Sequence, residues 1–392
     1  MHQLEIAISR PVPATLVEEV EKKSVYISRH LQNLKVADSG SRLRLTIDEP
    51  AHAAETEAKV QRFIAAMLKG YRKFDRKLIY KSGFEPRYTR NVWEEAQQRK
   101  WVFDAGLGQV SLRGPAFGLF QYFEHTFREM AEKQFRADER RFPTLIPADV
   151  LGRVGYFGSF PQGITFVSHL HEDFDLLDDF SRANKEGPLT FPNKDVLDRP
   201  CHCLTPVVCY HCYRMLENET IPPNEVRSFT AVGSCFRYES RNTTSLERLW
   251  DFTLREFIFV GSREGVKQKR QQSMDAVKAW VEELKLAVTF ETASDPFFTA
   301  DFSEKTYFQL LSDLKYEMRV QIAPDRSIAA GSFNLHNDFF GKTFQISSGE
   351  VTAFSSCVGF GIERWICAFL SQKGFDVKQW PEQVQPFIKS ES

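Results

Sequence analysis

The segment SFTAVGSCFRYESRNTTSLERLWDFTLREFIFVG, residues 228–261, carries the strongest indication of the fold. Two β-rich runs flank the polar stretch 240–247, a pattern that predicts a long hairpin with Arg237 and Glu239 near the end of its first strand. Further along the chain, SSCVGFGIERW (residues 355–365) predicts a strand that runs through two glycines into a helix. Small residues at such a junction let the helix and the strand approach each other closely.

Taken together and in this order, the two segments resemble motifs 2 and 3 of the class II aminoacyl-tRNA synthetases. The helical segment that begins at Gly114-Pro115 and the proline-bearing strand ERRFPTLIP resemble the weaker motif 1, which forms the dimer interface in that family. The resemblance covers roughly residues 110–390. It implies an α+β fold with an antiparallel sheet of the class II type flanked by helices, and a homodimer.

Forming an aminoacyl-adenylate requires a carboxylate to attack the α-phosphate of ATP, and negative charge then builds on the phosphate oxygens. Guanidinium forks stabilise such charge well. The resemblance implies that Arg237 holds the α-phosphate and the substrate carboxylate, and that Arg364 covers the adenine and the γ-phosphate. It also implies that Glu239 recognises the adenine amino group and that Phe252 stacks on the ring.

The segment SFNLHNDFFGKTFQIS precedes motif 3. In the family, the corresponding strand supplies contacts to the substrate and a carboxylate for Mg²⁺. Asn334 and Asp338 are therefore candidates for the ATP site. The alternative for Asp338 is a capping role in a turn, which is common for aspartate.

Seven cysteines are an odd number and are clustered, which is unlike a disulfide framework. One interpretation is a local zinc knuckle, since soft ligands are crowded between residues 201 and 212. Apolar neighbours in this stretch favour a strand packed in the core instead. The ligands of the knuckle would be Cys201, Cys203, Cys209 and Cys212.

A second interpretation spreads the zinc ligands over the fold. Cys209, Glu256 and Cys357 resemble the zinc site of the atypical archaeal seryl-tRNA synthetases and their small bacterial homologues. In that family two cysteines and one glutamate leave one position open. An open position is typical of a working zinc rather than a structural one. It would receive the α-amino group of the substrate.

The bulk composition sets limits on the other function classes. The net charge of −1 gives no global basic field for nucleic acid. The N-terminus has no apolar signal region, and no apolar run is long enough to span a membrane. We therefore expect a cytoplasmic protein with reduced thiols and no membrane partner.

The chain is predicted to form two domains. Residues 1–78 show a strand–helix–strand–helix pattern, which predicts a small α+β domain with a role in partner recognition. Residues 79–392 are predicted to form the catalytic domain. The stretch Lys69–Lys100 is rich in basic residues and predicts either a solvated helix face or a docking surface for a polyanion.

The function expected from the resemblance is that of an amino acid:[carrier protein] ligase. Such an enzyme activates a small amino acid with ATP and loads it onto the phosphopantetheine thiol of a holo carrier protein. The alternatives are an atypical seryl-tRNA synthetase, whose partner is tRNA, and an inactive paralogue with a binding role. The intact Arg237, Glu239 and Arg364 argue against the inactive paralogue.

Overall fold

A computed structural model of the chain describes residues 1–69, 71, 76–89, 91–193, 195–243, 245–294, 309 and 312–388. No helix in these ranges combines the length and the apolar character needed to cross a bilayer.

The N-terminal unit has its own sheet and its own apolar core. Its elements are β1 (His2–Ala7), α1 (Ala14–Lys23), β2 (Leu31–Ala37), β3 (Arg42–Ile47) and α2 (Ala53–Leu68). The sheet is antiparallel, in the order β1–β3–β2, and Leu43 and Leu45 of its central strand are buried as the alternating pattern predicts.

Strand β2 begins within LVEEVEKKSVYISRHLQNL, residues 16–34, whose spacing predicts a helix. The helix stops at Lys23, a short 3₁₀ turn follows, and the chain then pairs with β3. The register shifts between Leu31 and Asn33, and this bulge turns both Leu31 and Leu34 into the core. Two apolar residues three positions apart imitate helical spacing, which explains the error.

The rest of the chain has sixteen strands among the described residues. They are β4 (Leu78–Lys81), β5 (Val102–Gly106), β6 (Gln109–Leu112), β7 (Asp138–Arg140), β8 (Leu145–Pro147), β9 (Phe166–Val167), β10 (His202–Leu204), β11 (Thr220–Ile221), β12 (Val226–Phe236), β13 (Asp251–Gly261), β14 (Val288–Thr292), β15 (Lys315–Ala323), β16 (Arg326–Asn337), β17 (Ser347–Ser348), β18 (Val351–Thr352) and β19 (Phe354–Gly361).

The helices of this part occupy both sides of the sheet. They are α3 (Val92–Gln98), α4 (Gly114–Phe135), α5 (Ala148–Arg153), α6 (Tyr156–Ser159), α7 (Phe174–Ala183), α8 (Cys209–Met215), α9 (Arg263–Glu283), α10 (Phe339–Phe344) and α11 (Ile362–Lys373).

Eight of the described strands form the main sheet, in the order β4–β14–β15–β16–β19–β13–β12–β7. All neighbours are antiparallel except β12 and β7, which run parallel. The hairpin predicted from residues 228–261 is β12–β13, and the strand predicted before motif 3 is β19. The prediction of an α+β fold with an antiparallel sheet flanked by helices is confirmed.

One face of the sheet packs against the long helices. Phe257 of β13 and Phe360 of β19 lie in the same core as the apolar residues of α4, α9 and α11. Phe127 of α4 stacks on Phe360 with ring centroids 4.0 Å apart, so the motif 1 helix is fixed directly to the motif 3 strand. Helix α4 begins with Pro115 in its first turn, as predicted. The proline-bearing strand after it is split into the short strands β7 and β8.

A buried ion network joins β13 to α4. Arg255 is 1% exposed, and its guanidinium bonds the carboxylate of Glu124 on α4 and that of Glu139 on β7, the latter at 3.1 Å. The neighbouring residue, Glu256, faces the opposite side of the sheet because side chains alternate along a strand. That opposite side carries the candidate site.

Candidate active site

Three neighbouring strands place the predicted residues on one face of the sheet. In the register of β13 and β19, Glu256 lies opposite Gly359 and Ile258 lies opposite Cys357. Asn334 of β16 lies opposite Cys357 on its other side. Residues two apart on a strand share a face, so the Glu256, Cys357 and Asn334 side chains point to the same side.

The third predicted metal ligand arrives from outside the sheet. Cys209 is the first residue of α8, so the stretch around it is a helix and not the predicted strand. Its Sγ, the Cys357 Sγ and a Glu256 carboxylate oxygen all lie within 4.8 Å of one another. All three residues are buried, with at most 4% of their surface exposed.

Burial dominates the electrostatics of this cluster. Burial raises the pKa of the Glu256 carboxyl and of the Cys209 thiol well above their usual values. A hydrogen bond from Cys209 lowers the pKa of Cys357, and burial opposes that effect. Within the described part of the chain, Glu256 Oε2 is buried without a hydrogen-bond partner. Two thiols and a carboxylate form a donor set that suits Zn²⁺.

A second group of potential metal ligands lies in the N-terminal unit, where ligand atoms of His30, Asp48 and His52 also lie within 4.8 Å of one another. Its atoms, however, are already paired. The two imidazole Nδ1 atoms lie 2.7 and 2.9 Å from the Asp48 carboxylate, and Arg29 Nε donates to His30 Nε2 at 3.1 Å. We interpret this group as a hydrogen-bonded clasp between β2, β3 and α2.

The alternative zinc knuckle does not assemble. Cys201 is exposed and bonds His202 Nδ1 at 3.2 Å, whereas Cys203, Cys209 and Cys212 are buried. Among the described residues, no three of these four cysteines form a metal-binding group.

The sequence reasoning missed a histidine behind the predicted metal ligands. His336 Nε2 lies 3.7 Å from Cys357 Sγ, and Asn334 Nδ2 donates to the same sulfur at 3.5 Å. On its other side, His336 Nδ1 lies 3.3 Å from the Tyr213 hydroxyl. His336 follows Asn334 by two residues on β16, so the period of the strand was a usable signal for it.

The predicted ATP residues form a second group, around the β12–β13 hairpin. Arg237 follows the end of β12, and its Nε donates to the carbonyl of Pro206 at 3.0 Å. Its guanidinium carbon lies 5.4 Å from the centroid of the Phe252 ring, so the two predicted residues are brought together.

Arg364 enters the same group from the first turn of α11. It donates to the carbonyls of Glu247 and Ala329 at 2.7 and 2.9 Å. Burial lowers the pKa of Arg364 to about 10, and the neighbouring cation Arg248 contributes to the shift. Guanidinium groups this close repel one another, so the group favours a bound anion.

Arg248 is a second residue that the sequence reasoning missed. It pairs with Glu239, the predicted adenine-reading residue, at 2.9 Å. Glu239 is therefore held by a hairpin neighbour. Arg248 lies in the loop outside any regular pattern, and no periodicity could have marked it.

The structure places the two remaining ATP-site candidates, Asn334 and Asp338, in different surroundings. Asn334 lies against the Cys357 thiol and therefore in the metal cluster. Asp338 lies at the start of α10, and its carboxylate pairs with Lys342 at 2.7 Å. A direct role for Asp338 in ATP binding stays a prediction.

Glu363 connects the two motifs. It is buried in the first turn of α11, and both its carboxylate oxygens accept from the backbone N–H of Thr253 on β13, at 3.1 and 2.9 Å. Burial raises the pKa of Glu363 to about 7. The motif 3 helix is thus fixed to the motif 2 strand beside Phe252.

The basic stretch Lys69–Lys100 is partly used within the chain. Arg76 pairs with Glu291 at 2.8 Å, and Lys77 approaches Asp313 at 3.5 Å. Both acidic partners lie in the part of the chain that carries the main sheet. Three members of the stretch lie outside the described residues, namely Arg72, Lys73 and Arg90.

Comparison with known proteins assigns this architecture to a class. Residues 196–373 match the family described as tRNA synthetase class II core domain (G, H, P, S and T). The fold agrees with a solved structure of Methanopyrus kandleri SerRS in complex with Aquifex aeolicus tRNASec, with a TM-score of 0.73 and 24% identity over 98% of this chain and 77% of the other. A cytoplasmic serine-tRNA ligase from Naegleria fowleri, in complex with AMP, gives a TM-score of 0.61 at 10% identity, covering 86% of this chain and 72% of that one. Residues 196–373 therefore match the class II aminoacyl-tRNA synthetase core domain, and the chain shares the fold of two seryl-tRNA synthetases.

Within this class, the chain is similar to type-2 serine–tRNA ligases. The protein of that name from Methanopyrus kandleri is 29% identical over 318 residues, which are 76% of this chain and 60% of the relative. The one from Methanococcus aeolicus is 28% identical over 320 residues, 79% of this chain and 61% of the relative. The chain thus spans about three-fifths of the length of the curated relatives it matches.

The prediction of an amino acid:[carrier protein] ligase is wrong. These relatives are named as serine–tRNA ligases, and the Methanopyrus structure contains tRNA. The prediction rested on an N-terminal domain that was judged too small for a long tRNA-binding arm. The fold match with the Methanopyrus kandleri structure covers 98% of this chain, so the N-terminal domain does not distinguish the chain from that seryl-tRNA synthetase. The alternative, an atypical seryl-tRNA synthetase, is the better supported.

Proposed function

We propose that this chain activates serine with ATP and Mg²⁺ and transfers it to tRNA, as a type-2 seryl-tRNA ligase. In the first step a carboxylate oxygen of serine attacks the α-phosphorus, a P–O bond forms, and pyrophosphate leaves. In the second step a hydroxyl of the terminal tRNA ribose attacks the acyl carbon, and AMP leaves.

The guanidinium group around the hairpin serves the first step. Arg237 lies at the end of β12 and is held by the carbonyl of Pro206, so its fork is oriented before substrate binds. Arg364 is fixed by two carbonyls in the same way. The positive charge of these groups offsets the charge that builds on the α-phosphate. The Phe252 ring, beside Arg237, offers a face on which adenine can stack.

The amino end of serine would be held by the metal group. Cys209, Glu256 and Cys357 would bind Zn²⁺, which supplies an open coordination position for the amine. His336 and Asn334 orient the Cys357 sulfur. The buried Glu256 carboxylate carries this proposal, because one of its oxygens has no hydrogen-bond partner among the described residues and one lies within 4.8 Å of two thiols.

Small residues beside the metal group favour a small substrate. Gly359 lies opposite Glu256, and a Cβ at position 359 would lie 3.5 Å from Glu256 Oε1 and 3.6 Å from Ser332 Oγ. At this point the site is therefore lined by the Ser332 hydroxyl and by the Cα hydrogen of Gly359. Serine fits such a wall better than a branched or aromatic amino acid.

The decisive experiment is ATP–pyrophosphate exchange with each amino acid, followed by charging of tRNA. We expect exchange with serine, charging of tRNASer, and loss of both zinc and exchange in Cys357→Ser. Cys367→Ser is the matched control, because Cys367 is equally buried but lies on α11 in the helix-side core. Exchange that is independent of serine, or loading of a holo carrier protein with no charging of tRNA, would overturn the proposal.

Two further predictions belong to this proposal. Helix α4 exposes Phe117 beside a surface groove of 590 Å³ that Phe120 and Phe387 also line. We propose that residues 115–147 form a homodimer interface there, in keeping with the motif 1 resemblance. We also propose a domain boundary near residue 78, because the first strand of the main sheet begins there.

A further inference from the structure

The N-terminal unit touches the loop of the motif 2 hairpin directly. The Tyr26 hydroxyl donates to the carbonyl of Tyr238 at 3.1 Å. In return, Asn242 Nδ2 donates to the carbonyl of Lys22 at 2.8 Å. The segment Lys22–Tyr26 comprises the end of α1 and the 3₁₀ turn after it, and we call it the clamp segment.

The base of the loop is held by the catalytic domain instead. Trp250 N donates to the carbonyl of Gly108 in the β5–β6 hairpin at 2.9 Å, and its indole Nε1 donates to Thr165 Oγ1 at 2.9 Å. Gly108 has φ +65°, and a Cβ there would lie 2.6 Å from Trp250 N, so this approach needs glycine. Tyr238 N donates to the carbonyl of Gly163 at 3.0 Å.

The loop between these anchors carries the groups assigned to ATP. Glu239 lies between Tyr238 and the 3₁₀ turn Ser240–Asn242, and it pairs with Arg248 on the return side. The carbonyl of Glu247 accepts from Arg364. Burial, together with the nearby Glu239, raises the pKa of Tyr26, so its hydroxyl stays protonated and acts as a donor.

We propose that the clamp segment fixes the motif 2 loop in its nucleotide-binding arrangement, with Tyr26 as a positioning residue for ATP. This inference rests on the proposed function, since it assigns the N-terminal unit a part in adenylation. The physical reason is preorganisation. Two hydrogen bonds between the N-terminal unit and the loop restrict the loop before ATP binds. Without them, the entropy lost on ordering the loop would reduce the free energy of ATP binding.

The test uses Tyr26→Phe in the full chain, which removes one hydroxyl and keeps the ring. Tyr71→Phe is the matched control, because the Tyr71 hydroxyl bonds Thr15 Oγ1 at 2.5 Å inside the N-terminal unit. We expect faster hydrogen exchange at residues 238–249 in Tyr26→Phe without substrate. The KM for ATP should rise roughly two- to tenfold, the change expected for one net hydrogen bond, while the KM for serine stays constant. Tyr71→Phe should change none of these.

Asn242→Ala removes the second contact from the loop side and should give the same pattern. The hydrogen exchange needs no activity, so it tests the clamp even if serine is not the substrate, and ATP binding by equilibrium dialysis replaces KM in that case. Unchanged exchange in both variants overturns the clamp. Faster exchange with unchanged ATP affinity overturns the role in nucleotide binding, and equal effects of Tyr71→Phe reduce Tyr26 to a general stabilising role.

Discussion

Replacing Glu256 by Gln tests whether Glu256 is a metal ligand or only a buried structural carboxyl. The substitution keeps the size of the side chain, so it leaves no cavity. Burial raises the pKa of Glu256 and so shifts the metal-free carboxyl toward its neutral form. An amide in place of a neutral acid changes little, and we expect the metal-free proteins to unfold at nearly the same temperature.

Zinc should then stabilise only the wild-type chain. A ligand at 100 times its dissociation constant adds about 2.7 kcal/mol to the free energy of unfolding. At roughly 2 °C per kcal/mol, the value for larger domains, the melting temperature should rise by about 5 °C. In Glu256→Gln one of the three negative ligand groups is missing, and the shift at the same zinc concentration should be absent or small.

The assay is thermal unfolding of chelator-treated protein titrated with Zn²⁺, with bound metal measured after dialysis. Glu363→Gln is the control, because Glu363 is also a buried carboxyl near the hairpin but bonds the backbone of Thr253. It should retain the full zinc shift. An equal shift in Glu256→Gln, or no shift in the wild type, would refute the assigned metal group.

Three further predictions concern stability and assembly. The folded pKa of Glu363, about 7, lies above its ordinary value of 4.5, so the folded state binds this proton more tightly. Its contribution to the free energy of unfolding, about 3 kcal/mol at most, should be present below pH 4.5 and lost as pH rises to 7. Glu363→Gln should remove this slope in denaturant titrations between pH 5 and 8. Hydrogen bonds from His30 and His52 hold the pKa of Asp48 below its usual range, so Asp48→Asn should lower the melting temperature at pH 7. The difference from the wild type should narrow only as pH falls below the usual pKa of an aspartate and through the lowered folded pKa. Phe117→Asp should give a monomer in sedimentation, whereas a stable dimer would exclude that face as the interface.

Alternation along strands was the most informative property of the sequence. It predicted the β12–β13 hairpin and β19, whereas the grouping of Glu256 with Cys357 came from the family resemblance alone. It failed at β2, where a bulge gives Leu31 and Leu34 the spacing of a helix. It also failed around Cys209, where a run of apolar residues suits a buried helix as well as a strand.

The remaining errors concern contacts between separate elements. Arg248 pairs with Glu239 across the hairpin loop, where no period marks it. The strand period places His336 on the face of Asn334, but it does not reveal the contact with Cys357 on the neighbouring strand. Such partners depend on register and loop path, which a single sequence does not reveal. The acceptor was mispredicted because the residues that form an adenylate are the same whichever nucleophile follows.

Strand β13 carries two adjacent residues with opposite tasks. Arg255 reaches Glu124 on the motif 1 helix, and Glu256 reaches the thiols on the far side of the sheet. The peptide bond between them is rigid, so a tilt of the strand imposed from the helix side must also reorient the ligand. In a symmetric pair of chains that meet through α4, the interface and each candidate catalytic centre would then be coupled through two adjacent residues of β13. No flexible loop would lie between them.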